Sequence, residues 1–257
     1  MSSPQEQGFR LLTEYTNGFM LSQVLFAACE LGVFDLLSEA LEPLGSAAVA
    51  VRLGTSSHGT QLLLDTCVSL KLLQVETSRG KALYQNTELS STYLVRASPK
   101  YQGNMLLYLA RTTYLCWGHL AQAVRDGKNR YQEAFGVPSD ELFTAIYDFF
   151  EDPLPEAELY ILARVLHDWS DGRCARLLAR IRRACKPGGA VLVIESLLDA
   201  DGRGPLTTQL YSLNMLVQTE GRERTPAQYL ALLGPAGFRD VQYRRTGGLY
   251  DAILGRT

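Results

Sequence analysis

The stretch Leu159-Tyr-Ile-Leu-Ala-Arg-Val-Leu166 decides the fold, because it is an almost continuous apolar run of strand length. Such a run is typical of a strand that is buried on both faces of a parallel sheet. A second run, Ala190-Val-Leu-Val-Ile-Glu-Ser196, follows a helical stretch that Lys186-Pro-Gly-Gly189 ends. The order strand, helix, strand predicts a parallel pair with a right-handed crossover, and therefore an α/β sheet.

The residues after this pair predict a helix and a hairpin. Thr225 and Pro226 have the residue types of a helix cap and a first-turn proline. Residues 238–243 and 249–254 read as two strands around the turn residues Gly247 and Gly248. The crossover helix also carries many cations, for which a solvated outer face is the expected environment: Arg173, Arg176, Arg180, Arg182, Arg183 and Lys186.

The N-terminal part is helical in pattern and ends in a hairpin. Apolar residues recur at helical spacing over residues 9–37, and Ser57 is the expected cap of a second helix. Residues 73–84 then predict a short hairpin, which gives a winged-helix-like arrangement. DNA binding is one interpretation, but Lys71 is the only cation that follows His58 on the helix before the hairpin. A packing or dimerisation module is therefore favoured.

Three segments are expected along the chain. Residues 1–98 form the helical module, residues 99–147 form connecting helices with several aromatic side chains, and residues 148–257 form the α/β part. The sequence shows no internal repeat that would indicate a repeat architecture.

Composition excludes several classes of function. The 257 residues carry a formal net charge of −2, which argues against nucleic acid or an anionic membrane as a partner held by charge. Five scattered cysteines without a CxxC pair indicate reduced thiols in a cytoplasmic protein. With three unclustered histidines, no metal site is expected. The N-terminal residues show no signal-peptide pattern, and no early apolar stretch is long enough to cross a bilayer.

Four stretches of the sequence resemble the O-methyltransferases that modify phenolic hydroxyls. They are Asp148-Phe-Phe-Glu-Asp-Pro-Leu-Pro155, Leu162-Ala-Arg-Val-Leu-His-Asp-Trp-Ser-Asp171, Lys186-Pro-Gly-Gly189 and Gly221-Arg-Glu-Arg-Thr225. The chain is similar to the acetylserotonin O-methyltransferase family over essentially its whole length, and within it to the acetylserotonin O-methyltransferase-like branch. This resemblance implies a Rossmann-like methyltransferase domain, S-adenosylmethionine as methyl donor, a small phenolic or indole substrate, and a homodimer formed by the N-terminal module.

One part of the family pattern is absent from the sequence. The family's strand that leads into a glycine-rich Asp-x-Gly-x-Gly-x-Gly loop has no counterpart here, nor has the next strand, which ends in an acidic residue for the donor ribose. Residues 142–147 run directly into Asp148 instead. At about 30 residues for each strand-helix-strand unit, roughly 60 to 90 residues are missing. We therefore expect a catalytically impaired chain with doubtful donor binding, or alternatively a noncatalytic partner of full-length subunits.

The resemblance also assigns roles to individual residues. His167 would be the base that deprotonates the substrate hydroxyl, Glu223 would orient it, and Glu195 would be a second acidic group. The substrate-binding positions would be Asp168, Asn214 and Gln218. The donor-binding residues that are still present would be Tyr147, Asp148, Phe149 and Arg164.

The residues by themselves leave alternatives to these roles. His167 could be an exposed or capping residue, and Glu223 could be a solvated charge between Arg222 and Arg224. Tyr211, Asn214 and Gln218 lie at positions i, i+3 and i+7 of an otherwise apolar helix, so they face either a polar cavity or bulk water.

The missing segment also changes what is expected of the sheet. In the family's strand order the strand at residues 159–165 is central, and its second neighbour would be the strand that leads into the glycine loop. Without that neighbour the strand becomes an edge, although its sequence lacks the charges and bulges that protect natural edges.

Overall fold

The computed structural model describes residues 3–78, 80–137 and 148–257, and the chain divides into two compact units, Met1–Thr112 and Thr113–Thr257. The first unit is built mainly from helices. Its elements are α1 (Pro4–Leu31), α2 (Val33–Glu39), α3 (Ser46–Leu53), α4 (Ser57–Ser69), β1 (Leu73–Ser78), β2 (Lys81–Asn86), α5 (Glu88–Tyr93) and α6 (Gly103–Tyr108). The strands β1 and β2 pair antiparallel, which confirms the predicted hairpin.

Local sequence explains where these helices begin and end. Gly32 has φ = 77°, a conformation that glycine adopts without strain, and it separates α1 from α2. The Oγ of Ser56 accepts a hydrogen bond from the amide of Gly59 at 3.1 Å and caps α4. The predicted cap, Ser57, is therefore wrong by one residue, because Ser57 already lies inside the helix.

The core of the first unit lies between its helices and the hairpin. Buried side chains from α1, α2, α4 and both strands meet there, among them Ala28, Phe34, Leu64, Leu73 and Tyr84. No single helix of the described residues is long and apolar enough to cross a membrane; α1 and α2 meet the length and composition limits only as a pair that is bent by 51°.

The second unit combines short helices with a four-stranded sheet. Its elements are α7 (Tyr114–Trp117), α8 (Leu120–Asp126), α9 (Tyr131–Phe135), β3 (Ala157–Ala163), α10 (Asp171–Ala184), β4 (Cys185–Glu195), α11 (Leu206–Gln218), α12 (Pro226–Leu233), β5 (Arg239–Arg244) and β6 (Asp251–Arg256). A π-helical turn over Leu109–Thr113 precedes α7, and a 3₁₀ turn over Leu166–Asp168 follows β3.

The sheet has the strand order β3-β4-β6-β5. The strands β3 and β4 are parallel and α10 connects them, so the predicted strand-helix-strand unit is confirmed. The strands β5 and β6 form the predicted C-terminal hairpin. Thr225 caps α12 in a reciprocal capping box with Gln228, as the sequence predicts.

Among the described residues, side chains cover only one face of this sheet fully. Val191, Val193 and Ile253 lie in a core with side chains from α10 and α12. On the other face of β3, Leu159 and Ile161 are 46% and 59% exposed. The prediction that this strand is buried on both faces is therefore wrong, because side chains on one face of β3 are exposed. In addition, no described strand pairs with its outer edge. It also ends at Ala163, because Arg164 has φ = 56° and leaves the extended conformation.

Candidate functional site

The candidate site lies where the parallel strands β3 and β4 end. Arg164 directly follows β3, the 3₁₀ turn Leu166–Asp168 comes next, and Glu195 is the last residue of β4. The carboxyl ends of parallel strands lie at the same edge of a sheet, where open α/β folds bind their ligands. The fold therefore brings together residues that are about thirty positions apart in the sequence.

Glu195 is the centre of this cluster. Its side chain is fully buried, and its Oε1 accepts hydrogen bonds from the amides of Val165, Leu166 and His167 at 3.2, 2.9 and 3.3 Å. Its Oε2 lies 2.8 Å from His167 Nδ1 and accepts a hydrogen bond from Arg164 Nη1 at 3.0 Å. This carboxylate thus holds the turn, the imidazole and the guanidinium in one arrangement.

Both ring nitrogens of His167 face carboxylates. Nδ1 contacts Glu195, and Nε2 lies 3.2 Å from Asp168 Oδ1, while the whole residue is only 6% exposed. Burial by itself lowers the pKa of His167, but the hydrogen bonds to Asp168 and Glu195 and their negative charges outweigh it and raise the pKa to about 9. The imidazolium, which has two donors and no acceptor, is therefore the form at neutral pH.

This pKa predicts how stability changes with pH. Because the pKa of His167 is raised from 6.5 to about 9 on folding, its stabilising contribution is complete below pH 6.5 and is lost as the pH rises through 9. We expect the free energy of unfolding to fall between pH 6.5 and 9, as measured by denaturant titration. His167→Gln should remove this part of the pH dependence. An unchanged pH profile in that variant would contradict the assignment.

Arg164 occupies the space between two buried carboxylates. Its Nη2 donates to Glu223 Oε1 at 2.9 Å, while Nη1 donates to Glu195. The guanidinium carbon lies 5.4 Å from the ring centre of Tyr211 and 5.2 Å from that of Tyr250. Burial raises the pKa of Glu223, and the hydrogen bond and charge of Arg164 oppose this rise.

Glu223 is buried, so the alternative that it is a solvated charge is wrong, and the neighbouring Arg224 is buried as well. The Arg224 side chain has no exposure and donates to the carbonyl oxygens of Leu166 and Trp169 at 2.8 and 2.9 Å. It also donates to Asp171 Oδ1 at 2.7 Å. The sequence analysis did not predict that Arg224 supports the 3₁₀ turn that contains His167. The only sequence feature that could have indicated this role was its place in the Gly-Arg-Glu-Arg-Thr stretch.

Glycine is required at position 221. A Cβ atom there would lie 1.8 Å from the carbonyl oxygen of His167 and 2.6 Å from the amide nitrogen of Trp169. The backbone of Gly221 therefore passes directly against the turn that carries His167, and the same stretch supplies Glu223 and Arg224.

The predicted substrate-binding amides face the protein and not bulk water. Asn214 Oδ1 accepts hydrogen bonds from Trp117 Nε1 at 2.9 Å and from Gln218 Nε2. Gln218 is buried and also donates to Thr113 Oγ1 at 3.3 Å. The helical spacing of the polar stripe predicted that these residues share a face. Trp117 was not predicted as their partner, since its sequence position carries no such signal.

Three of the four predicted donor-binding residues lie in the described part of the chain, and each contacts protein groups there. Tyr147 lies outside the described residues. The Oδ1 of Asp148 accepts the amide of Phe150 at 2.8 Å, and the Phe149 ring packs edge-on against Trp169 with centroids 6.1 Å apart. Arg164 is held by Glu195 and Glu223. Among the described residues, the Arg164 guanidinium and Oδ1 of Asp148 thus already have protein partners, which does not favour S-adenosylmethionine as their ligand.

Comparison with known proteins gives a consistent picture. Residues 13–96 match the model of the O-methyltransferase dimerisation domain, and residues 147–239 match that of the O-methyltransferase domain. The acetylserotonin O-methyltransferases of Bos taurus and Homo sapiens are 54% and 52% identical, and each match covers 100% of both chains. A probable bifunctional dTTP/UTP pyrophosphatase/methyltransferase protein of Homo sapiens is 31% identical over 95% of this chain and 53% of its own.

Solved structures agree with these sequence matches. Human N-acetylserotonin methyltransferase in complex with SAM is 52% identical and has a TM-score of 0.95, with 100% of this chain and 99% of that chain covered. The alignment with the bovine protein extends over 344 positions, 87 more than the 257 residues of this chain. At least 87 aligned positions therefore have no counterpart here, which lies within the predicted loss of roughly 60 to 90 residues.

Proposed function

Because the chain belongs to the acetylserotonin O-methyltransferase family, whose members use S-adenosylmethionine, we propose that it is a noncatalytic form of such an enzyme. Its ancestral reaction would be methyl transfer to the hydroxyl of a phenolic or indole substrate such as N-acetylserotonin. In this reaction the residues of the chain would have to orient the hydroxyl and remove its proton, because the methyl group of the donor is already activated.

The protonation and the hydrogen-bond partners of His167 are the observation on which the proposal rests. A general base needs a nitrogen that is free to accept a proton within hydrogen-bonding distance of the substrate. Here both ring nitrogens lie against carboxylates, at 2.8 and 3.2 Å, and the raised pKa keeps the ring protonated at neutral pH. In addition, Arg164 pairs with Oε1 of Glu223, while Oε2 of this carboxylate is buried without a hydrogen-bond partner among the described residues, so Glu223 does not hold the imidazole.

The donor side supports the same conclusion. The sequence contains no glycine-rich loop of the family type, and β3 has only β4 beside it among the described strands. The crevice of an open α/β sheet forms between strands that diverge on either side of a switch point. The strand that would lie on the other side of β3 is missing here. The family's donor site would therefore lack its main backbone anchors.

A methyl-transfer assay tests the proposal. The chain, S-adenosylmethionine carrying a labelled methyl group, and N-acetylserotonin should give no labelled product above the rate without protein. Arg164→Gln separates the two causes of inactivity. It removes the guanidinium from Glu195 and Glu223, yet the variant should remain inactive because the donor segment is still absent. Turnover by the unmodified chain would refute the proposal, and turnover by the variant alone would show that the ion pairs, and not the missing segment, prevent the reaction.

The second candidate function is that of a noncatalytic subunit that pairs with itself or with an intact relative. Its support is the surface of α1, where large apolar side chains are exposed at near-helical spacing: Phe9, Leu12, Tyr15 and Phe19. Contiguous apolar surface of this kind usually marks an interface. The family model of a dimerisation domain includes most of this helix.

We expect the chain to be a homodimer at tens of micromolar, as measured by light scattering. The double variant Tyr15→Glu/Phe19→Glu should be monomeric, because burial of two carboxylates in an apolar interface is costly. Leu41→Glu is the matched control, since Leu41 is fully exposed outside α1 and its replacement should leave the mass unchanged. A monomeric unmodified chain would contradict this assignment. The free, buried thiols of all five cysteines agree with a cytoplasmic location for such a subunit.

A further inference from the structure

The outer side of α10 carries three arginines that line a surface hollow. Arg176, Arg180 and Arg183 follow one another at the spacing that places side chains on the same side of a helix. Together with Phe150, Glu151 and Ala179 they surround a hollow of about 270 Å³. A neighbouring hollow of about 320 Å³ shares Arg180 and Arg183 and is closed by Leu154 and Ala184. The outer face of α10, which the sequence predicted to be solvated, is therefore concave around these three cations.

The positive charge of this hollow is only partly neutralised. Arg176 Nη2 pairs with Glu151 Oε1 at 2.9 Å, and this is the only carboxylate among the lining residues. Arg180 donates an Nη2 hydrogen bond to the carbonyl oxygen of Asp152, while its Nε is buried without a partner. Arg183 takes part in no ion pair among the described residues. Three guanidinium groups thus face one carboxylate.

Helix electrostatics do not explain the whole set. Cations in the last turn of a helix are stabilised by the helix dipole, and this accounts for Arg182 and Arg183. Arg176 and Arg180 lie further from the end of α10, where this effect is small. The Nε of Arg180 is in addition buried without a hydrogen-bond partner among the described residues, which is unfavourable.

We propose that this hollow binds a phosphate group through Arg176, Arg180 and Arg183. Guanidinium groups present paired N–H donors that match the oxygens of phosphate, and three of them around one dianion would satisfy its charge. The Phe150 ring already has two guanidinium groups over it, those of Arg173 at 5.5 Å and Arg176 at 5.8 Å. It is therefore not free to stack on a nucleobase, and the site should recognise the phosphate and not the group that carries it.

Calorimetric titration with inorganic phosphate and with adenosine monophosphate tests this site, which is independent of methyl-donor binding. Both probes should bind with affinities within about threefold of each other, because only the phosphate is recognised. Arg183→Gln should weaken both at least about tenfold, the loss expected for a hydrogen bond between charged groups. Lys186→Gln removes a cation at the same end of α10 that pairs with Glu158 outside the hollow, and it should leave affinity within about twofold.

A second variant keeps the test valid if neutralisation disturbs the fold. Arg180→Lys retains the charge but not the planar pair of donors, so it should weaken phosphate binding while the circular dichroism spectrum is unchanged. Three results would overturn the proposal: no saturation by phosphate, equal weakening by Lys186→Gln and Arg183→Gln, or full affinity in Arg180→Lys. Much tighter binding of adenosine monophosphate than of phosphate would replace it with a nucleotide site.

Discussion

Calorimetric titration of this chain with S-adenosylmethionine or S-adenosylhomocysteine is expected to show no saturable binding up to millimolar concentration. The resemblance implies that the family holds the donor by the amides of a glycine-rich loop and by a carboxylate for the ribose, and the sequence shows neither pattern. Loss of several buried hydrogen bonds to one ligand, at about 1.5 to 3 kcal/mol for each bond to a charged group, is enough to abolish micromolar affinity.

The residues that remain on the donor side do not compensate for this loss. Arg164 forms ion pairs with Glu195 and Glu223, and the Asp148 carboxylate accepts a hydrogen bond from the amide of Phe150. Human N-acetylserotonin methyltransferase, whose solved structure contains SAM, is the positive control for the titration. A clean micromolar isotherm for this chain would contradict the prediction and would also remove the donor-side support for a noncatalytic function.

Hydrogen exchange should show that residues 148–257 are markedly less stable than the N-terminal helices. The strand β3 is an edge of the described sheet, and Leu159 and Ile161 are largely uncovered. Amide groups on the free side of an edge strand have no strand partner, so alternate amides of β3 should exchange rapidly. Slow exchange throughout residues 159–165 in an unaggregated sample, equal to that of the N-terminal helices, would refute this expectation.

Two matched variants test the difference between the exposed face of β3 and the face that packs against the core. Ile161→Thr changes an exposed side chain and should alter the free energy of unfolding by no more than about 0.5 kcal/mol while reducing aggregation. Leu162→Thr changes the adjacent side chain, which packs against the core of the unit, and should cost about 2 kcal/mol or more. Equal effects of the two substitutions, measured by denaturant unfolding, would mean that the outer face of β3 is covered in solution.

Local pattern was sufficient for most of the elements. The apolar run before His167, the helix stop at Lys186-Pro-Gly-Gly189 and the second apolar run predicted the parallel pair, and the order of these signals alone implied the crossover. Thr225 and Pro226 predicted a helix start for the same reason, because capping depends on neighbours within a few residues. Motif resemblance then identified the family, and it predicted that the donor-binding segment is absent.

Tertiary structure alone decided the contacts within the site. The sequence named His167, Glu195, Glu223 and Arg164, but it did not indicate that Glu195 contacts the imidazole while Glu223 pairs with Arg164, since these partners are 28 to 59 positions apart. The burial of Arg224 and the exposure of Ile161 were likewise not predicted. Side-chain periodicity describes one segment at a time, whereas ion pairing and burial depend on which other segments lie beside it.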